Sequence, residues 1–390
     1  MKTHLFFLAI LFSFSFSKVN AQCPSGDVQI YSQEHLNDFV TFYPNCTHIT
    51  GNLIFGEFNG LNNNITDLSG LINLTKIDGY LGVFSTTELV SLNGLNNLQD
   101  IGGLNLAFNQ NLESLTELIN ITELSNNQLQ IGLNPSLQSL QGLNNIQTIN
   151  GRLYLGDGNE NLTSLAGLNS LTSVAGIVFI SDTYVTSLEG LNNLTTIGGW
   201  CLIGYNEQLT SIEALQNLIF ISDWISIEGN PQLTSLNGLQ NINPISFAGE
   251  DNGLFIESNE NLTTCNLPNI CEYLSWDSTE YLREITGNTG SCIDEQAVLA
   301  ACGLGISDIE NDSANWNVHY QKNTGGFLIQ TNGFKMSEIE VYDLSGKLLK
   351  SVQNLNSERE ELRIFTPETI LIIKIKTKEG KVFAKKVIMK

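Results

Sequence analysis

The chain has 390 residues, 42% of them hydrophobic, and carries 18 Lys and Arg against 40 Asp and Glu, a formal net charge of −22. That length suffices for more than one domain, and so acidic a balance excludes the basic surfaces that nucleic acid and anionic lipid demand. The charge is also uneven. From 22 to 305 the only cations are Lys76, Arg152 and Arg283 against 29 acidic residues, whereas 306–390 holds 13 cations and 11 anions, which marks a domain boundary near 305.

Residues 1–21, MKTHLFFLAILFSFSFSKVNA, combine a basic start, an apolar stretch from Leu5 to Phe16 and a small residue at the cleavage point. This is the pattern of a secretory signal. An anchored helix is the alternative, but the apolar part is shorter than the ~20 residues that cross a bilayer. A lipoprotein reading at Cys23 is poor because Gln22 precedes it. No later segment is apolar enough to span a membrane, so the expected product is secreted or attached to the outer cell surface, with no integral membrane span.

Cys23 and Cys46 bracket SQEHLNDFVTFY, where Leu36, Phe39, Val40 and Tyr43 fall at helical spacing. We expect a helical lid fastened by a disulfide. A repeat follows, with copies of S-L-x-G-L starting at 67, 91, 114, 139, 164, 187, 211 and 235, spaced by 23 to 25 residues. Such regularity signals a solenoid. In the coil from 187, Leu188, Leu191, Leu194, Ile197, Ile203 and Leu209 should point inward. The x-L-x-I piece should pair with its copies in a parallel sheet. Gly190 and Gly198 mark bends. Asn109, Asn134, Asn159, Asn206, Asn230 and Asn259 recur just before the closing leucine, where an amide can satisfy backbone groups left by the bend. A single coil cannot bury its own apolar face, so the copies need neighbours and capped ends.

The second cap holds Cys265, Cys271, Cys292 and Cys302, with helical signals at 267–274 and 294–301. Export favours disulfides. Of the three possible pairings we favour Cys265 with Cys292 and Cys271 with Cys302. A zinc site is the rival, but paired CxxC and nearby histidines are missing. Cys201 sits in an inward strand slot and reads as a buried thiol.

Little in this stretch points to chemistry. The histidines His35, His48 and His319 lie in the caps and tail, so neither a metal-ligand spacing nor a Ser–His–Asp set is visible, and we expect no metal, cofactor or catalytic residue. LGDGNENL (155–162) lacks the third glycine of a phosphate fingerprint. EDNG (250–253) and DGNEN (157–161) lack calcium-loop spacing and read as solvated turns. Glu228 and Glu257 share an outward slot on successive coils and could pair as glycosidase carboxylates, the basis of an alternative reading as a polysaccharide-active enzyme. Sequons such as Asn73-Leu74-Thr75 and Asn193-Leu194-Thr195 fall inside the repeat phrase, where both polar residues have structural uses.

The outward slots are more informative. Aligned coils place Arg152, Ile177, Trp200 and Trp224 in one column and Tyr154, Phe179 and Leu202 in the next, which continues through Ser226 to Phe255. Neighbours in a column stand about 4.8 Å apart, so these residues form one apolar and aromatic patch. Earlier coils carry Asn105, Gln128 and Gln130 in comparable slots. The patch is expected to recognise a protein or a glycan, the latter by stacking on indole. Cross-strand packing under a covering loop is the structural alternative.

The coil spacing, the opening Cys46, Ile49, Gly51, Leu53 and Phe55, and the cysteine caps resemble the receptor L-domain over about 23–303. The resemblance implies a right-handed leucine-rich, β-helical solenoid of about nine coils with disulfide-fastened caps. It transfers no ligand.

Residues 304–314 read as a linker and 315–390 as a small, mainly β sandwich, with strands at 317–320, 326–331, 338–342, 347–352, 361–365, 370–377 and 381–388. Glycine turns lie at DLSG (343–346) and TKEG (377–380). The stretches IEVYDLSGKLLKS (339–351) and KIKTKEGKVFAKKVIMK (374–390) resemble the type A C-terminal sorting domain of the type IX (Por) secretion system of Bacteroidetes. That resemblance implies outer-membrane secretion machinery as a partner. The usual Pro-Asn-Pro opening is replaced by ANWNVHY (314–320), and the usual glycine and tyrosine by TPETILII (366–373). An Ig-like adhesion module is the alternative for the tail. Asp277-Ser278-Thr279 and Asp312-Ser313-Ala314 resemble the O-glycosylation motif of the same bacteria. The expected function is non-enzymatic recognition of an extracellular protein or glycan, with a passive adhesion component as a third possibility.

Overall fold

The computed structural model describes residues 22–303 and 316–388, except 59–62, 127, 157, 249–252, 277–281, 322–325, 344–346, 365–369 and 379–380. The signal, the linker, both serine motifs and parts of the DLSG, TKEG, EDNG and DGNEN turns lie outside the described residues. Among the described residues, no helix is long and apolar enough to cross a membrane.

The protein is mainly β. Among the described residues, seventeen strands between Val28 and Thr286 form one parallel hydrogen-bonded array. Strands Lys76–Phe84 and Asp100–Ala107 run through a bend that joins two strips of this array. Period-two alternation sets which side chains face in. Val178 pairs with Cys201 and Cys201 with Ile225 on the inner side, while Phe179 pairs with Leu202 and Leu202 with Ser226 on the outer. Leu188, Leu191, Leu194, Ile197, Ile203 and Leu209 are all fully buried in one continuous core. The Cys201 thiol lies in that core, and burial pushes its pKa up to about 12.

The glycine of the SLxGL phrase is fixed by close approach. At Gly190 φ is 118°, and an added Cβ would collide with the carbonyl of Leu165 on the preceding coil. Gly94, Gly142, Gly167 and Gly238 meet their neighbours in the same way.

The asparagine column forms a hydrogen-bonded ladder inside the bend. Asn109 donates from its backbone N–H (3.4 Å) and Nδ2 (2.8 Å) to Oδ1 of Asn134, and Asn134 repeats the pattern onto Asn159. A second run passes from Asn206 through Asn230 and Asn259 to Asn288. Each run is opened by a threonine, Thr86 or Thr183, whose N–H and hydroxyl donate to the first amide. The residue before each rung is left-handed, including Phe108 (φ 62°) and Tyr205 (φ 54°). That turn aims the amide at strand carbonyls such as Val83 O and Ile203 O. The sequon asparagines are occupied too. Asn73 Nδ2 donates to Pro44 O at 3.0 Å and Asn193 Nδ2 to Asn169 O at 2.6 Å.

Both ends are capped. Helix α1 (Gln33–Phe42) starts at Ser32, whose hydroxyl accepts from His35 N–H, and buries Leu36 and Phe39. Cys23–Cys46 closes this cap. At the far end α2 (Pro268–Leu274) and α3 (Glu295–Ala301) are held by Cys265–Cys292 and Cys271–Cys302. Arg283, with only 5% of its side chain exposed, donates to the carbonyls of Tyr273, Leu274 and Trp276 and pairs with Glu295 at 2.8 Å. One of the three cations of the acidic region is therefore a structural clamp.

The tail forms two antiparallel sheets around a separate core that includes Trp316, Phe327, Met336 and Leu371. One sheet holds Trp316–Gln321, Gly326–Thr331 and Arg359–Arg363. The other orders Leu348–Ser357, Met336–Tyr342, Ile370–Thr377 and Val382–Ile388.

Candidate functional site

The outer surface of the main strip carries the residues of interest. Register places Gln130, Tyr154, Phe179, Leu202, Ser226, Phe255 and Glu284 in one column, coil after coil. Arg152, Ile177, Trp200 and Trp224 occupy the slot two residues earlier. Their carbonyls accept from the N–H groups of Leu129, Leu153, Val178 and Cys201 respectively, which fixes them as a second column.

The aromatic side chains touch in sequence. Tyr154 and Phe179 stack at 4.5 Å with planes 2° apart, and Trp200 and Trp224 stack at 4.8 Å and 4°. Edge-to-face contacts at 6.3 Å (Phe179–Trp200) and 6.2 Å (Trp224–Phe255) join them into one row of five rings. All five are half-buried. Strand spacing and ring stacking have the same repeat, so parallel rings on adjacent strands meet face to face. One face of each stacked ring is thereby occupied by its partner. Among the described residues neither indole N–H has a hydrogen-bond partner, and neither is a buried orphan. Gly156 lies beneath the Tyr154 ring, where an added Cβ would come within 2.8 Å of the ring carbon Cε1.

The row ends differently at its two sides. Toward the N-terminus, Gln128 Nε2 donates to Asn105 Oδ1 at 2.9 Å and to Gln130 Oε1 at 3.2 Å, and Arg152 donates to the same Gln130 oxygen at 3.1 Å. This amide cluster and the exposed Arg152 are polar and self-satisfied. Toward the C-terminus lie three carboxylates. Glu228 and Glu257 are register partners, and Glu284 pairs with Phe255. Burial, with Glu284 and Glu228 nearby, pushes the Glu257 carboxyl above the usual carboxylate range. Ser226 Oγ donates to Glu228 at 3.1 Å. No lysine, arginine or histidine pairs with these carboxylates among the described residues.

The strip brings all the sequence-derived face residues together. Sequence reasoning missed Glu284, because it lies in the cap beyond the last SLxGL phrase. It also missed a smaller ring cluster near the N-terminal end, where the exposed Phe58 contacts Phe84 and Phe108 at 5.3 and 5.5 Å. Among the described residues no three of His, Cys, Asp and Glu converge as a metal-binding group.

Comparison with known proteins covers two stretches. No curated protein matches the chain. Residues 304–389 match a family described as Domain of unknown function (DUF8694). The aromatic row, which begins at Tyr154, lies outside both matched stretches. Over residues 45–146, which carry the amide cluster and the first coils, the chain is similar to the receptor L domain.

Proposed function

We propose that the protein is an exported, non-enzymatic recognition protein whose ligand lies against the outer face of the main sheet. The observation that carries this reading is the continuous row Tyr154–Phe179–Trp200–Trp224–Phe255, half-buried on a scaffold whose neighbouring coils put amides in the same slots. An uncovered aromatic patch of this kind is a recognition surface. Between glycan and protein, ring orientation favours protein. A sugar stacks on an exposed ring face, and here each ring of a stacked pair has one face closed by its partner. The indole N–H groups of Trp200 and Trp224, without a partner among the described residues, suit the carbonyls of a protein surface.

In the same reading, the solenoid is right-handed with about nine coils, and the tail acts as the type A sorting domain that it resembles in sequence. The ligand partner is then extracellular, and the secretion machinery is a second, transient partner. The paired Glu228 and Glu257 have Ser226 and a third carboxylate, Glu284, beside them but no cation or histidine paired with them among the described residues, so recognition is preferred to hydrolysis.

The test is the double variant Trp200→Ala with Trp224→Ala, compared with wild type for binding to a glycan array and to a displayed peptide library. Wild-type binding should be lost in the folded variant. A variant that keeps every wild-type ligand at full strength ends the reading.

A further inference from the structure

The two ends of the aromatic row differ in charge, and the difference restricts what can lie on it. Glu228, Glu257 and Glu284 crowd the last coils and, among the described residues, no cation is paired with them, the neighbouring Arg283 being turned to Glu295. Like charges directly across a strand pair destabilise a sheet, and a cation supplied from outside relieves that repulsion while its apolar neighbours cover the rings. At the other end Arg152 is the only cation in the two columns, and its exposed guanidinium, which spends one N–H on Gln130, keeps further donors for a carboxylate. The region around the face holds 29 acidic residues against three cations, so its field draws cationic partners from a distance.

We infer that the face takes a protein segment that sets lysine or arginine against Glu228, Glu257 and Glu284 while its apolar side chains cover Trp200, Trp224 and Phe255. This rests on the recognition reading above. It goes further by naming the partner's chemistry and orientation: basic toward the carboxylates, acidic or amide-bearing toward Arg152. Burial first, and then the neighbouring Glu284 and Glu228, raise the Glu257 carboxyl above the usual carboxylate range.

The experiment is peptide-display selection on the full chain, with counter-selection on the Trp200→Ala, Trp224→Ala protein so that only face-dependent binders survive. Survivors should combine basic with aromatic or aliphatic residues. The best of them should lose at least tenfold in affinity against Glu228→Gln, Glu257→Gln, Glu284→Gln, a variant that circular dichroism checks for folding. A scrambled peptide of equal charge should bind at least tenfold more weakly than its parent. Face-dependent survivors that are neutral or acidic would overturn the inference and leave the recognition reading standing. So would basic survivors that bind the triple variant within twofold of wild type, or scrambled peptides that bind as well as their parents. An absence of face-dependent survivors would overturn both.

Discussion

The coils around Asn105 and Gln130 and those around Phe179 and Trp200 share an interior and differ in everything outside it. Leu104, Leu129 and Leu153 continue inward as Val178, Cys201 and Ile225, each at most 1% exposed. Outward, the first group holds a closed set of amide hydrogen bonds and the second a stack of rings. Packing density leaves the interior almost no choice of side chain, whereas an outward column needs only residues that tolerate neighbours at strand spacing. Amides and rings both do so, the first by hydrogen bonds and the second by stacking. The outside of the scaffold is therefore where this protein could become particular.

If the interior is common to both halves, breaking a ladder amide in either should cost the same. Asn134→Ala and Asn230→Ala each remove an Oδ1 that accepts two hydrogen bonds and an Nδ2 that donates to strand carbonyls. Each should destabilise by roughly 2–4 kcal/mol, read as a shift in urea midpoint, and a large difference between them would break the comparison. The outer face should be unequal. Trp224→Ala should cost about 1–3 kcal/mol through lost stacking and burial, against less than about 1 kcal/mol for Gln130→Ala.

The smallest effect concerns Glu257. Its carboxyl pKa is raised in the folded state, so folding favours the protonated form and stability falls as pH rises through that value. Glu257→Gln should be slightly more stable than wild type at neutral pH, by less than about 1 kcal/mol. The difference should disappear as pH drops below the ordinary carboxylate range. Melting temperatures between about pH 3 and pH 8 would show it, and a constant difference across that range would remove the charge on Glu257 as its cause.

Much of this was legible because the repeat states its own phase. The leucines and Gly190 recur at positions that only an inward face and a tight bend explain, and aligning the copies put Trp200 beside Trp224. The tail strands were legible from alternation, with ends displaced: the strand expected to stop at 352 runs to Ser357, through Asn354 at φ 58°. Asn288 and Glu284 were not legible, since the cap lacks the phrase that numbers the coils. Thr183 was hidden for a different reason, because a hydroxyl and an N–H do there what an amide does on the other coils. Ring orientation was the largest omission. A column fixes spacing but not side-chain torsion, so the sequence could suggest indoles offered to sugars where the structure turns their faces to each other.

Successive rungs of the amide ladder lie 25 residues apart between Asn109 and Asn134, yet 29 apart between Asn230 and Asn259. The ladder tolerates this because its contacts are made at one corner, wherever the chain wanders before returning. Extra residues can therefore be inserted in one arc of a coil without displacing its strands. A lineage carrying this architecture can grow a new loop in one coil, or trim one, while every ring beneath stays in place.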